Sequence, residues 1–112
     1  MVYKSNTVVV TIGRNIDDKP MSDAMWYQFK LDAWQAISKV FKGKIEFAEL
    51  HDSDHAMWNG VLEESHKIQV FFTSHTAVTP REYDKVVKNL SNLKIKYTQE
   101  AIAVTWGRSQ LV

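Results

Sequence analysis

Val8-Val9-Val10-Thr11-Ile12 is an unbroken β-branched run closed by Gly13. A run without polar alternation has the composition of a strand buried on both faces, so the sheet that contains it needs a partner layer on each side. The rest of the chain is read around this strand. Arg14 to Pro20 is polar and ends in proline, after which Ser22 can cap a helix that carries Asp23 in its first turn. Trp26, Phe29, Ala33, Ile37 and Val40 recur at three- and four-residue intervals, which predicts an amphipathic helix stopping near Gly43. Ile45 and Phe47 alternate with Lys44 and Glu46, as in a half-buried second strand.

His51 to Gly60 reads as a polar loop, and Ile68, Val70 and Phe72 mark a third strand that begins as early as Val61. Thr79-Pro80-Arg81-Glu82 combines an N-cap threonine, a proline at the first helical position and a glutamate three residues after the cap. The helix it opens carries Tyr83, Val86, Val87 and Leu90 on one face and is expected to fray at Asn92. Ala101 to Trp106 reads as the last strand, with Ile95 and Tyr97 as a backward extension. The order β-α-β-β-α-β predicts an α+β fold, the ferredoxin-like split β-α-β, with a four-stranded antiparallel sheet and two helices on one face. The span 1–112 is expected to form a single ferredoxin-like domain, since 112 residues suit one core.

The sheet's second face is informative. If Val8, Val10, Ile12, Ile68, Val70, Ile102, Val104 and Trp106 point to the helices, the opposite parity holds Val9, Thr11, Phe71, Ala101, Ala103 and Thr105. That face is small and apolar, the kind of surface that marks an interface, so a homo-oligomer is expected. The alternative is that the tail, Gly107 to Val112, covers it.

Composition narrows the function. Lys and Arg number 14 against 13 Asp and Glu, a formal charge of +1, so nucleic acid is not the expected partner. Without cysteine there is neither a disulfide framework nor thiolate chemistry, which fits a reducing compartment. No basic n-region with a long apolar stretch opens the chain, and no apolar run approaches the roughly 20 residues that span a bilayer. The expected partners exclude a membrane, and the expected location is the cytoplasm.

His51-Asp52-Ser53-Asp54-His55 crowds two imidazoles and two carboxylates into one stretch, all of them ligand types for a first-row metal. The spacing matches no specific metal motif. A calcium loop opened by Asp52 fails at Ala56 and Met57, and the solvated hairpin connection is preferred, with no metal expected. The His-x-Ser pattern of two-histidine phosphoesterases occurs once, and its second copy fails at Ala77, two residues after His75. His66 to Phe72 lacks the basic, glycine-containing aromatic motif of RNA-binding sheets.

Carboxylates at the strand ends remain. Glu49 shares parity with Ile45 and Phe47, Glu64 shares it with Ile68 and Val70, Glu63 precedes Glu64, and Glu100 opens the last strand. An inward carboxylate at a strand end is hydrogen-bonded, ion-paired or facing a ligand. Pairing with Lys or Arg at the sheet rim is the plainer explanation for each one. Trp58, an aromatic in a polar stretch, serves either as a lid over the core or as a stacking surface for a ligand.

These features together resemble the phage S-adenosylmethionine-degrading enzymes, long called hydrolases and better described as lyases. The likeness lies in the valine-rich first strand with the Met21-Ser22 helix start, the acidic stretch from Glu49 to Trp58, Glu63-Glu64 before Lys67-Ile68-Gln69-Val70, and the last segment from Glu100 to Gln110. Gly60 to Ser65 is also similar to small uncharacterised bacterial and phage domains. Trp58 stands where the family tends to have tyrosine. The resemblance implies a trimer that binds S-adenosylmethionine between subunits and cyclises it to 5′-methylthioadenosine and L-homoserine lactone, without a cofactor, in an anti-restriction role. It implies Glu64 as the catalytic acidic residue and Glu49, Trp58, Glu63 and Glu100 as substrate-binding residues. The alternative function is a non-catalytic oligomeric phage or bacterial protein that binds a host factor or small nucleotide. Metal-dependent hydrolysis through His51 to His55 is a third and weaker reading.

Overall fold

A computed structural model describes residues 3–72 and 78–111, side chains at 6–72 and 78–107. His75 and Ala77 lie outside the described residues. The elements run β1 (Tyr3–Gly13), β2 (Asn15–Ile16), β3 (Lys19–Pro20), α1 (Asp23–Ser38), β4 (Ile45–Trp58), β5 (Val61–Phe72), α2 (Pro80–Lys96) and β6 (Ala103–Leu111). The main sheet has the order β4-β5-β1-β6, every pairing antiparallel, and both helices cover one face. This is the expected ferredoxin-like α+β arrangement.

The β-branched run sits at the centre of the sheet. Val8, Val10, Ile12, Ile68, Val70 and Phe72 are each at most 1% exposed, beneath Phe29, Ala33, Ile37, Val86 and Leu90 of the helices. A fully buried side chain of this size contributes about 1.5–3 kcal/mol of transfer free energy, so this layer dominates stability. Both caps form as expected. The Ser22 hydroxyl accepts from Met25 N–H, and Thr79 and Glu82 make a reciprocal capping box.

Several expectations are corrected, and one alternative is excluded. The polar loop at His51 to Gly60 is the far half of a long hairpin: β4 continues to Trp58 and turns at Asn59-Gly60. Asn59 and Gly60 have φ of 49° and 80°, the left-handed pair that a two-residue turn needs to match strand twist. The polar segment after β1 is a small ribbon, β2 against β3, turning at Asp17-Asp18. The second helix does not fray at Asn92 but runs to Lys96, so Ile95 is helical. Tyr97 caps it, its buried ring stacking on Phe29 at 4.3 Å. Finally, Gly107 to Leu111 pair with β1 and lengthen the sheet, so this part of the tail does not cover the open face.

The open face carries half-buried Val9, Thr11 and Phe71, with exposed Ala103 and Thr105. β4 reaches this face by a shift in register. Ile45 is opposite Phe72, yet Phe47 is opposite Phe71, so the strand bulges at Glu46. Opposed residues share a face, so Phe47 and Glu49 turn outward instead of following Ile45 inward. Phe47 meets Phe71 there, ring centroids 5.4 Å apart.

Candidate functional site

A cavity of about 290 Å³ opens on the uncovered face, where the ends of β1, β4, β5 and the approach to β6 converge. Thr11 and Gly13 form its floor beside Ser65, Glu63 and Val61. Ala56 and Trp58 wall one side, and Thr98 to Ala101 wall the other. The turn residues Asp17 and Asp18 stand at its edge.

A second bulge decides what the hairpin presents. Ser53 is opposite Ser65 and Ala56 is opposite Glu63, so β4 carries one residue more than β5 between them. Without that extra residue Met57 would share the parity of Ser53. With it Trp58, opposite Val61, turns to the cavity. The Trp58 indole N–H then donates to Glu100 Oε2 at 3.1 Å, tying the hairpin tip to the segment before β6. The Gln99 amide tightens the same segment by donating to the carbonyls of Asn15 and Tyr97, at 3.1 and 3.2 Å.

Glu63 and Glu64 leave β5 on opposite faces. Glu63 turns to the cavity, where Oε2 accepts from Asn15 N–H at 2.9 Å. Glu64 turns to the helix side, where Oε2 accepts from Arg14 Nη1 at 2.9 Å. The same guanidinium donates to Asp23 Oδ1 at 2.6 Å and, through Nε, to the Met21 carbonyl at 2.8 Å. Arg14 thus locks the chain between β1 and α1.

Of the residues singled out from sequence, Trp58, Glu63 and Glu100 come together at the cavity, and Glu49 and Glu64 do not line it. Glu49 lies on the open face, its carboxylate 2.7 Å from His51 Nε2. The acidic and imidazole stretch is split by strand alternation. His51 faces outward with Glu49, whereas Asp52 faces the helix side, 2.6 Å from Nδ1 of buried His66 and 3.4 Å from Lys30 Nζ. Burial opposes ionisation of Asp52, but His66 and Lys30 outweigh it and hold the carboxyl below its usual range. Sequence reasoning missed Thr11, Gly13, Ser65, Gln99 and the Asp17-Asp18 turn. Asn59-Gly60 was the signal that would have extended β4 and carried Ala56 and Trp58 into register.

Electrostatically the cavity is one-sided. Its described lining holds four carboxylates, Asp17, Asp18, Glu63 and Glu100, with no Lys, Arg or His. Together with the indole face of Trp58, this suits a ligand that brings positive charge to an aromatic surface.

No family model matches the chain, and no curated protein matches it. Among solved structures it is similar in fold to a phage SAM lyase in complex with S-methyl-5′-thioadenosine. The TM-score is 0.58 at 17% identity, covering 96% of this chain and 89% of the other. The apo state of a phage SAM lyase is similar with a TM-score of 0.57 at 14% identity, covering 97% and 90%.

Proposed function

We propose that this protein is an S-adenosylmethionine lyase, cyclising its substrate to L-homoserine lactone and 5′-methylthioadenosine. The observation that carries the reading is the carboxylate-lined cavity beside Trp58, in which no described side chain is basic. S-adenosylmethionine offers what this lining lacks, a sulfonium and an ammonium against a single carboxylate, net charge +1. The fold shared with a lyase whose complex holds methylthioadenosine supports the same reading.

The reaction asks little of the protein. The substrate's own carboxylate oxygen attacks the carbon next to sulfur, the new C–O bond closes the lactone, and the C–S electron pair leaves on sulfur. No proton moves, so no general base is needed. The protein's work is to fold the amino-acid chain into a near-attack conformer. Opposite charges are neutralised in this step, so partial exclusion of water favours it. Among the described residues no basic side chain lines the cavity, so none of them pairs with the attacking carboxylate and holds it back in the ground state.

In this reading Glu63 and Glu100 meet the ammonium and sulfonium, and Trp58 stacks on adenine or meets the sulfonium by a cation-π contact worth about 0.5–2 kcal/mol. Glu64, engaged by Arg14, holds the corner that places Glu63. Glu49 stays with His51 on the open face. That face, with Phe47 against Phe71, supports assembly into a homo-oligomer, a trimer by the resemblance, with the site near where subunits meet. The protein acts in the cytoplasm, in an anti-restriction role.

The test is to incubate purified protein with S-adenosylmethionine and follow methylthioadenosine by chromatography. Formation of methylthioadenosine and homoserine lactone in equal amounts is expected. No product from folded protein overturns the lyase reading, and binding without turnover favours the non-catalytic alternative. Light scattering after size exclusion tests assembly, and a monomer would count against it.

A further inference from the structure

Gly13 occupies the last position of β1, opposite Ser65 of β5 and on the open face. Its backbone is ordinary strand outside the left-handed region, so nothing in its own conformation calls for glycine. The space beside it does. A Cβ built on Gly13 would lie 2.5 Å from Cδ and Oε1 of Glu63 and 2.6 Å from Oε2. All three carboxyl atoms therefore rest where any other residue would place its first side-chain carbon. Two residues further along, Asn15 N–H donates to Glu63 Oε2 at 2.9 Å, and Arg14 between them is fixed by Met21, Glu64 and Asp23.

We infer that Gly13 is a positioning residue of the cavity: the missing side chain is the seat in which the Glu63 carboxylate lies, clamped by Asn15 N–H and presented to a cationic ligand. The identification of that ligand as S-adenosylmethionine rests on the lyase reading. Glu63 is otherwise a flexible side chain at a strand end, free to sample solvent at the cost of its contact with ligand. The seat and the backbone donor remove that freedom before the ligand arrives. One corner of chain carries out both tasks, with Arg14 anchoring it on the helix side and Gly13 with Asn15 gripping the carboxylate on the other.

Gly13→Ala separates this role from a structural one. The clash falls on the far end of a flexible side chain, so the protein is expected to fold with an unchanged melting temperature while Glu63 swings out. Three readouts follow. In the wild type, the Asn15 amide proton shift should track protonation of Glu63 across an acid titration by NMR, and Gly13→Ala should abolish that response. Calorimetric binding of sinefungin, a stable analogue with an amine in place of the methylsulfonium, should weaken about tenfold in Gly13→Ala and in Glu63→Gln alike. The double variant should be no weaker than either single one, because both substitutions remove the same contact. Losses that multiply in the double variant, an Asn15 response that survives in Gly13→Ala, or wild-type sinefungin affinity in that variant would each overturn the inference, as would a wild type that does not bind sinefungin. Sinefungin binding without methylthioadenosine formation would instead strike the lyase reading and leave the seat standing.

Discussion

On the helix side of the sheet, Val8, Val10, Ile12, Ile68, Val70 and Phe72 are packed to at most 1% exposure, and Glu64 is paired with Arg14, Asp52 with His66 and Asp32 with Tyr97. On the open side the same strands present half-buried Val9, Thr11 and Phe71, an exposed Phe47, and a cavity whose carboxylates face outward. Glu63 and Glu64 show the difference in one peptide. The carboxylate on the helix side is neutralised by Arg14, and the one on the open side is held by a single backbone amide. On the helix side the carboxylates meet cations or a phenol, whereas at the cavity Glu63 and Glu100 are held by neutral N–H donors, from Asn15 and Trp58.

The largest test of that contrast is a pair of neighbours. Phe72→Ala removes a fully buried ring and is expected to cost about 3–5 kcal/mol in urea unfolding. Phe71→Ala, on the open face, should cost less than about half as much in the monomer. Equal losses would mean that the open face is covered in solution, and a dependence of the Phe71→Ala loss on protein concentration would identify that cover as a second copy.

Next in size is the pair of carboxylates. Glu63→Gln is expected to lower methylthioadenosine formation about 100-fold, near 2.7 kcal/mol of transition-state stabilisation, with an unchanged melting temperature. Glu64→Gln should leave more activity and lower the melting temperature, since it loosens the Arg14 corner. The reverse order in a chromatographic assay would return the catalytic role to Glu64.

A smaller effect is expected at the hairpin turn. Gly60 has a φ of 80°, so Gly60→Ala should cost about 1 kcal/mol by thermal unfolding and loosen the tip that carries Trp58. The smallest is a pH effect confined to the helix side. Lys44, 2.8 Å away, holds the Glu82 carboxyl below its usual range, assisted by Thr79. Burial opposes the same shift at Asp32, but hydrogen bonds from Tyr97, Gln28 and Lys96 outweigh it. A carboxyl whose folded pKa is depressed stabilises the fold above its unfolded value, near 4, and loses that contribution as pH falls through the folded value. Stability should therefore decline below about pH 4, and Glu82→Gln should flatten part of that decline in urea midpoints taken from pH 6 to pH 3. Tyr97 works in the opposite sense. Burial and Asp32 raise its phenol, so its contribution persists below about pH 10 and fades as alkali ionises it.

Much of this architecture was legible in the chain. The β-branched run, the serine cap and the Thr79 to Glu82 capping box are local signals, set by backbone sterics and by hydrogen bonds within four residues, and each formed where it was expected. The helix-facing parity of β1 and β5 followed from their two-residue period, and with it the apolar open face. Period counting failed in β4. Bulges at Glu46 and between Ser53 and Ala56 each shift the strand by one residue, which turned Phe47 and Glu49 outward and brought Trp58 to the cavity. A bulge answers to the fit between two strands far apart in sequence, and no local preference announces it. The division of Glu63 from Glu64, and the seat that Gly13 leaves for one of them, depend on which side chains meet across the sheet. The helices, the order of the main elements and the buried layer could be read from the chain, because they rest on short-range sterics and on hydrophobic period. Which carboxylate Arg14 takes and which faces the cavity is set by packing between strands and helix far apart in sequence.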